Sequence, residues 1–316
     1  MGQSAALTQE IKTSILDAGI DMVGVASVDR WDHAPPGYYT PRFYMPEARA
    51  VISLVRHIPE GVIDVWGQWN EPGRSVGPYL HYGYGMPNFD MAAVIHRTVK
   101  RLERAGHKAM AHAVATNCHY RSNGDPVPYW TTRPDFSQKH AAVAAGLGEF
   151  GLLGILISRR FGTHVRLGSI ITSAPLEIDP MYSGPPLCVP DSCGYKCIRV
   201  CPVNAFSTTE TTEIRIGDRV YRKAKHDNIK CGAAVSGIAK GSGARTEVTF
   251  PDGVIDAAEV ARRAAEVHWA DRAIRGQTFA IIGGDYCGRC LHVCPAPVGA
   301  RHRGMAAVQP EVMDGK

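Results

Sequence analysis

The chain has 316 residues, 45% of them apolar and 21% charged, a globular balance that excludes a wholly disordered protein and is ample for a buried core. Thirty-five Lys and Arg against thirty Asp and Glu leave a net charge of +5, too small and too scattered to argue for a nucleic-acid partner. The opening MGQSAALTQEIK has no basic stretch leading into an apolar run and no twin arginine, and the longest apolar stretch, 141–158, holds Glu149 and four glycines; a cytoplasmic protein with no membrane span is expected.

Leu7, Ile11 and Ile15 recur at helical spacing, with Gly19 where a C-terminal cap belongs. Met22–Ala26 reads as a short strand and Ala50–Arg56 (AVISLVR) as a buried one. The Pro- and aromatic-rich stretch 31–49 reads as an ordered loop, as does 59–90 with Trp66 and Trp69; loops of such length often carry function. Asn88 is placed to cap a helix whose apolar face is Met91, Val94, Ile95, Val99 and Leu102 and which Gly106 closes. A strand around Ala109–Ala115, a helix over Ser137–Ala145 and strands over Gly154–Ser158 and Val165–Thr172 make this part α+β or α/β. From Leu187 the texture changes: turns near Gly217-Asp218 and Pro251-Asp252-Gly253 suggest two hairpins, Ala257–Trp269 reads as helical, and eight of the nine cysteines lie here.

The cysteines fall in two halves. The first is Cys188-x4-Cys193-x3-Cys197-x3-Cys201-Pro202; the second is Cys287-x2-Cys290-x3-Cys294-Pro295, with Cys231 alone upstream. In bacterial two-cluster ferredoxins the cysteine before proline ligates the other cluster. On that pattern one [4Fe-4S] cluster takes Cys188, Cys193, Cys197 and Cys294, and the other takes Cys201, Cys231, Cys287 and Cys290. Thiolates suit thiophilic iron, the short gaps let one turn deliver three ligands, and proline fixes φ where the chain leaves. Zinc and disulfides are the competing readings; reciprocal Cys-Pro endings are not a zinc signature, and disulfides do not suit a cytoplasmic chain. The first half is stretched beyond the usual two-residue gaps, which sets Cys188 apart from the other ligands. Cys118 stands outside both halves, as a buried free thiol or a cofactor contact.

Gly146-Leu147-Gly148-Glu149-Phe150-Gly151 spells GxGxxG, but a helical stretch precedes it and a strand-like one follows, the reverse of the dinucleotide-binding order. The glycines point instead to backbone approached closely, by a cofactor or by a packed helix.

The run KHAAVAAGLGEFGLLGILISRRFGTHVRLGSIITSAPLE (139–177), followed by the cysteine halves, resembles the family of epoxyqueuosine reductases and reductive dehalogenases. The matching features are Ala145–Gly148, Gly151, the Gly162 turn and Thr172–Glu177; MPEARAVISLV (45–55) resembles the family's P-x-A-R-x-V-I strand, and Cys231 its separated ligand. The resemblance implies an α+β protein: a nitroreductase-like domain over 1–180 holding cobalamin, then a ferredoxin-like module over 181–316 whose two [4Fe-4S] clusters feed it single electrons. It implies reductive cleavage, dehalogenation or epoxide reduction, of a small-molecule substrate. A low-potential donor such as ferredoxin or flavodoxin is the implied partner, without membrane or nucleic acid. Flavin is the alternative cofactor, since a nitroreductase-like fold ordinarily binds it. A tRNA-modifying epoxyqueuosine reductase and a cluster-only electron carrier are the alternative functions. Two departures bear on the choice: Gly151-Leu152-Leu153 stands where epoxyqueuosine reductases carry G-K-N, and Thr132 stands near the place of their catalytic aspartate. The Gly148-Glu149-Phe150-Gly151 wording is closer to the dehalogenases.

Cofactor contacts are expected at Lys139, Gly146, Gly148, Gly151, His164 and Thr172, and His140 also flanks the expected cavity. Reductive cleavage leaves a carbanion or alkoxide that needs a proton, and the segment 118–140 is dense in donors. Tyr129 and Asp135 are the candidate catalytic residues; Asp135 can equally serve as the acid at a helix start, and Tyr129 and Trp130 as core. Arg133 and Lys139 can meet cofactor carboxamides or an anionic substrate, or simply be solvated.

Overall fold

The computed structural model describes residues 2–34, 38–66, 78–112, 136–235 and 287–296. Helix α1 (Gln3–Asp17) forms because Ile11, Ile15 and Leu16 fall on one buried side. It ends at Gly19, whose φ of +90° lets its N–H close on Leu16 O at 2.8 Å. Strand β1 (Met22–Ser27) follows. The stretch 31–49, expected as loop, contains a helical turn, α2 (Pro41–Tyr44), started by the Thr40 side chain accepting from Phe43 N–H at 3.3 Å and by Pro41, whose fixed φ suits a first turn. Strand β2 (Ala50–His57) comes next.

The long loop expected over 59–90 is largely helical where it is described. It holds α3 (Glu60–Trp66) and a π-helical stretch, Tyr79–Gly85, that runs into α4 (Met86–Arg104). Asn88 therefore lies inside α4 and caps nothing: the preceding π-turn supplies carbonyls to the first N–H groups, and Asn88 Oδ1 accepts from Arg166 Nε at 2.9 Å instead. Strand β3 (Ala109–His112) and helix α5 (Gln138–Ala144) follow. The glycine-rich stretch hides a strand, β4 (Gly148–Phe150), which pairs with β5 (Leu156–Ser158). β5 begins later than expected because Gly154, at φ +63°, belongs to the turn. Strand β6 (Val165–Thr172) has the bounds read from the sequence.

The main sheet has the order β1-β2-β6-β3 and is antiparallel at every pairing, which decides for α+β over α/β. Both its faces are covered. Ile52, Leu54 and Ile170 pack with Ile11, Ile15, Met91 and Ile95 of α1 and α4. Met22, Val51, Val55 and Ile171 pack with Phe136 and the alanines of α5. This is why AVISLVR shows no polar alternation. The small residues of α5 let it lie close to the sheet, and a Cβ on Gly24 would run into the Ala145 carbonyl oxygen. Beyond β6 the chain is clamped to α1: Lys12 Nζ and Asp179 Oδ1 stand 2.6 Å apart, both nearly fully buried, and Asp179 Oδ2 accepts from Val25 N–H at 2.6 Å.

Two single-turn helices, α6 (Pro190–Cys193) and α7 (Lys196–Arg199), carry cysteines. Strands β7 (Phe206–Ile216) and β8 (Arg219–His226) form the hairpin expected at Gly217, whose φ is +56°. Helix α8 (Asn228–Val235) carries Cys231, and α9 (Arg289–His292) carries Cys290. The turn read at Pro251-Asp252-Gly253 and the helix read over Ala257–Trp269 lie outside the described residues. Among the described residues, no helix is long and apolar enough to cross a membrane.

Candidate functional site

The first cysteine loop is shaped by its backbone. Gly194 and Tyr195 are consecutive left-handed residues, φ +60° and +56°, that reverse the chain between α6 and α7. For Tyr195 this conformation costs about 1–2 kcal/mol, offset by its hydroxyl donating to Asp191 Oδ1 at 2.7 Å. Glu149, on β4, anchors the loop's start by accepting from the Leu187 N–H and, at 3.1 Å, the Cys188 N–H. Leu152 N–H donates to Cys188 Sγ at 3.3 Å, and Ala205 N–H donates to Cys201 Sγ at 3.3 Å.

The cysteines gather in two foursomes. Cys188, Cys193, Cys197 and Cys294 line one hollow of about 270 Å³, together with Leu152 and Pro295. Cys201, Cys231 and Cys290 pack about Leu153, Ala205, Phe206 and Ala224, with Cys197 on the border. Cys287 lies within electrostatic reach of Cys231 and Cys290. All eight are free of disulfides. Burial, reinforced by neighbouring cysteines, raises the Cys188 thiol, pushes Cys197 to about 11 and Cys231 to about 12, and raises Cys290 well above the ordinary thiol range. Such thiols ionise only beside a compensating positive charge. Among the described residues, no three His, Cys, Asp or Glu side chains converge closely enough to hold a single metal ion. A cubane has a different requirement: its four thiolates stand round a cage, each on its own iron, so the donor set and the hollow fit [4Fe-4S] clusters.

The other expected site residues are spread more widely. Lys139, in the first turn of α5, is exposed to solvent. Desolvation by the surrounding protein and the nearby Lys223 lower its pKa to about 8, while Cys231 and Cys290 hold it up. His140, held neutral by burial at about 3, meets Ser137 Oγ through Nδ1 and lines a separate cavity of about 190 Å³ with Arg30, Trp31, Tyr38 and Glu213.

His164 is buried, with Nε2 3.2 Å from the His292 carbonyl oxygen, and Thr163 Oγ1 donates to Leu291 O at 2.6 Å. His292 Nε2 in turn lies 3.0 Å from Ile63 O, so these contacts fasten α9 against the main body. Thr172 is fully buried in the sheet, donating to Lys108 O at 2.8 Å and accepting from Ala174 N–H at 3.1 Å; its hydroxyl serves the end of β6. Gly146, at φ +74°, turns the chain out of α5. At Gly148 the close neighbour is β5, since a Cβ would run into the Ile157 carbonyl oxygen. At Gly151 a Cβ would stand 2.7 Å from Ile157 Cδ1 and 3.6 Å from Cys188 Sγ. Tyr129, Asp135, Cys118, Trp130 and Arg133 lie outside the described residues.

Three side chains by the cysteines escape the sequence reading: Glu149, Lys223 and His226. Glu149 gave one signal, as the only acid in an apolar, glycine-rich stretch. Lys223 and His226 sit on a hairpin strand that reads as solvent-facing, and only tertiary packing turns them inward.

No family model matches the sequence, and no curated protein does. Solved structures match in fold. One, described as a reductive dehalogenase structure that suggests a mechanism for B12-dependent dehalogenation, is 19% identical at a TM-score of 0.52, over 84% of this chain and 34% of that one. The catabolic reductive dehalogenase NpRdhA in complex with 3-bromo-4-hydroxybenzoic acid is 19% identical at a TM-score of 0.51, over 74% and 30%. A selenomethionine-labelled epoxyqueuosine reductase is 16% identical at a TM-score of 0.48, over 97% and 69%. The chain shares the fold of the reductive dehalogenases and spans about a third of their length. Reductive dehalogenases are one of the two families that the sequence resembles.

Proposed function

We propose that this protein is an iron–sulfur oxidoreductase in which two [4Fe-4S] clusters pass single electrons to a cobalamin, for reductive cleavage of a carbon–halogen or epoxide bond in a small molecule. The observation that carries this reading is the gathering of eight free cysteines into two foursomes, one around a hollow. Residues 1–180 form the cofactor and substrate part and 181–316 the cluster part. Cobalamin, when bound, supplies the metal-centred cleavage of the carbon–heteroatom bond.

The chain's own residues do the rest. Cys188, Cys193, Cys197 and Cys294 hold one cluster, and Cys201, Cys231, Cys287 and Cys290 the other. Glu149 fixes the Cys188 backbone. Lys139, exposed and within electrostatic reach of Cys231 and Cys290, offers an ammonium to cofactor amides or an anionic substrate. Tyr129 or Asp135 delivers the proton that the cleaved carbon or oxygen requires. A low-potential one-electron protein is the partner.

The test is iron and cobalt analysis of anaerobically purified, reconstituted protein, read with its visible spectrum. About eight irons with corrinoid bands are expected. Fewer irons would refute the clusters. Full iron with flavin bands, or with no second chromophore, would refute the cobalamin.

A further inference from the structure

The two cysteine foursomes have different charged neighbours, although Lys196 and Arg199 also flank Cys197 of the first on α7. Beside the first, Glu149 lies against the Cys188 backbone and works against a thiolate there, and Asp191 lies within its loop. This foursome also adjoins the surface, where Val189 is 51% and Tyr195 42% exposed.

The second foursome is faced by cations. Lys139 lies within electrostatic reach of Cys231 and Cys290, and Lys223 within reach of Lys139. The Lys223 stem is held in place across Gly154, where a Cβ would stand 2.6 Å from Lys223 Cδ. Asp227 opposes them at Cys231, but more weakly than Lys139 acts there. His226 lies flat on Phe206, with ring centroids 4.5 Å apart and an 11° interplanar angle, and Phe206 is the apolar neighbour of Cys201, Cys231 and Cys290. His226 Nε2 is buried and has no hydrogen-bond partner. Burial also keeps this ring neutral at about 4. A buried polar nitrogen left unpaired costs about 1–3 kcal/mol, and a sulfur of the adjoining cluster is the acceptor that would relieve that cost.

A four-thiolate cluster is anionic, and reduction adds one more negative charge. Cations and N–H donors favour the reduced form and raise the potential; a carboxylate lowers it. Resting on the two-cluster reading above, we propose that Lys139, Lys223 and His226 make the second cluster the higher-potential member of the pair. An electron from a low-potential one-electron donor then enters at the surface-facing first cluster and moves downhill to the second. In each transfer the first cluster is oxidised by one electron and the second reduced by one, with no bond made or broken.

The test is an EPR-monitored redox titration of the reconstituted full-length protein, with dithionite as reductant. The wild type should show two midpoints, and Cys201→Ala should remove the higher. His226→Phe, which keeps the stack on Phe206, and Lys223→Gln should each lower that midpoint by the equivalent of about a tenfold weaker hold on the electron, ~59 mV for a one-electron couple. The other midpoint and the iron content should stay, and Lys223→Arg should retain the wild-type value. About eight irons with unmoved midpoints, or loss of the lower midpoint in Cys201→Ala, overturns this inference and leaves the two-cluster reading standing. A wild type that never reaches about eight irons overturns that reading itself.

Discussion

The Lys12–Asp179 pair offers a direct measure of what holds the approach to the first cysteine in place. Lys12→Met removes the cation and leaves the Asp179 carboxylate nearly fully buried, with the Val25 N–H at 2.6 Å as its remaining side-chain hydrogen bond. Breaking a buried pair from one side costs up to about 3–5 kcal/mol, because the surviving charge cannot reach water; Arg30, whose guanidinium donates to the Asp179 carbonyl oxygen at 2.8 Å and attracts the carboxylate, is a nearby cation that offsets part of this. Against a total stability of about 5–15 kcal/mol, that is a large fraction. In Lys12→Met/Asp179→Leu neither charge remains, and the main loss is the acceptor for Val25 N–H, about 1–3 kcal/mol. The expected order of stability is therefore wild type, then the double variant, then the single variant. Urea denaturation at pH 7 followed by far-UV circular dichroism reads it. A Lys12→Met cost below about 1 kcal/mol, the range of surface pairs, or a double variant weaker than the single one, would show that the carboxylate is solvated and the reasoning mistaken.

Cys201→Ala should lose the iron held with Cys231, Cys287 and Cys290, about half the total; iron analysis that finds the loss confined to the Cys193 and Cys197 site counts against the crossed grouping. Gly148→Ala forces β4 and β5 apart, since the clash is with the Ile157 carbonyl, and should cost at least about 1–3 kcal/mol; an unchanged melting temperature contradicts it. Thr163→Val removes one of two hydrogen bonds to the Leu291 carbonyl, which keeps the Cys294 N–H at 3.3 Å, and should cost about 0.5–1.5 kcal/mol, with faster iron loss to a chelator; equal loss rates contradict it. His140 sits at about 3 in the folded chain and 6.5 as the ordinary value, so in that window the unfolded chain binds the extra proton. Its contribution to stability is full above pH 6.5 and falls by at most about 1.4 kcal/mol per pH unit on acidification; His140→Phe should flatten that slope in denaturation curves between about pH 5 and 6.5.

Much of the frame is legible residue by residue. β6 could be bounded because an apolar run lies between a glycine turn and a proline, and α4 because Met91, Val94, Ile95 and Leu102 share one side. The Cys-Pro endings let the cysteines be divided before any geometry was known. What escaped was set by tertiary contact. The helices within 59–90 hide behind Trp, Tyr and Gly, residues that read as loop until burial of Ile63 and Tyr79 gives them something to pack on. β4 hides among glycines that are there because β5 presses on them. Thr172 and His164 read as cofactor contacts by position; in the fold Thr172 donates to the Lys108 carbonyl and His164 Nε2 lies 3.2 Å from the His292 carbonyl oxygen, contacts that no local pattern announces. Lys223 and His226 alternate with exposed Arg222 and Lys225, and no local pattern separates the inward pair from the outward one.

The way the foursomes are drawn from distant stretches also governs how the protein can be made. Cys294 joins residues that precede it by 97 positions or more, and Cys201 leaves its own loop to join residues that follow it. On the two-cluster reading, a growing chain cannot finish either cage until its last cysteine has been synthesised and docked, so both cages close late and together.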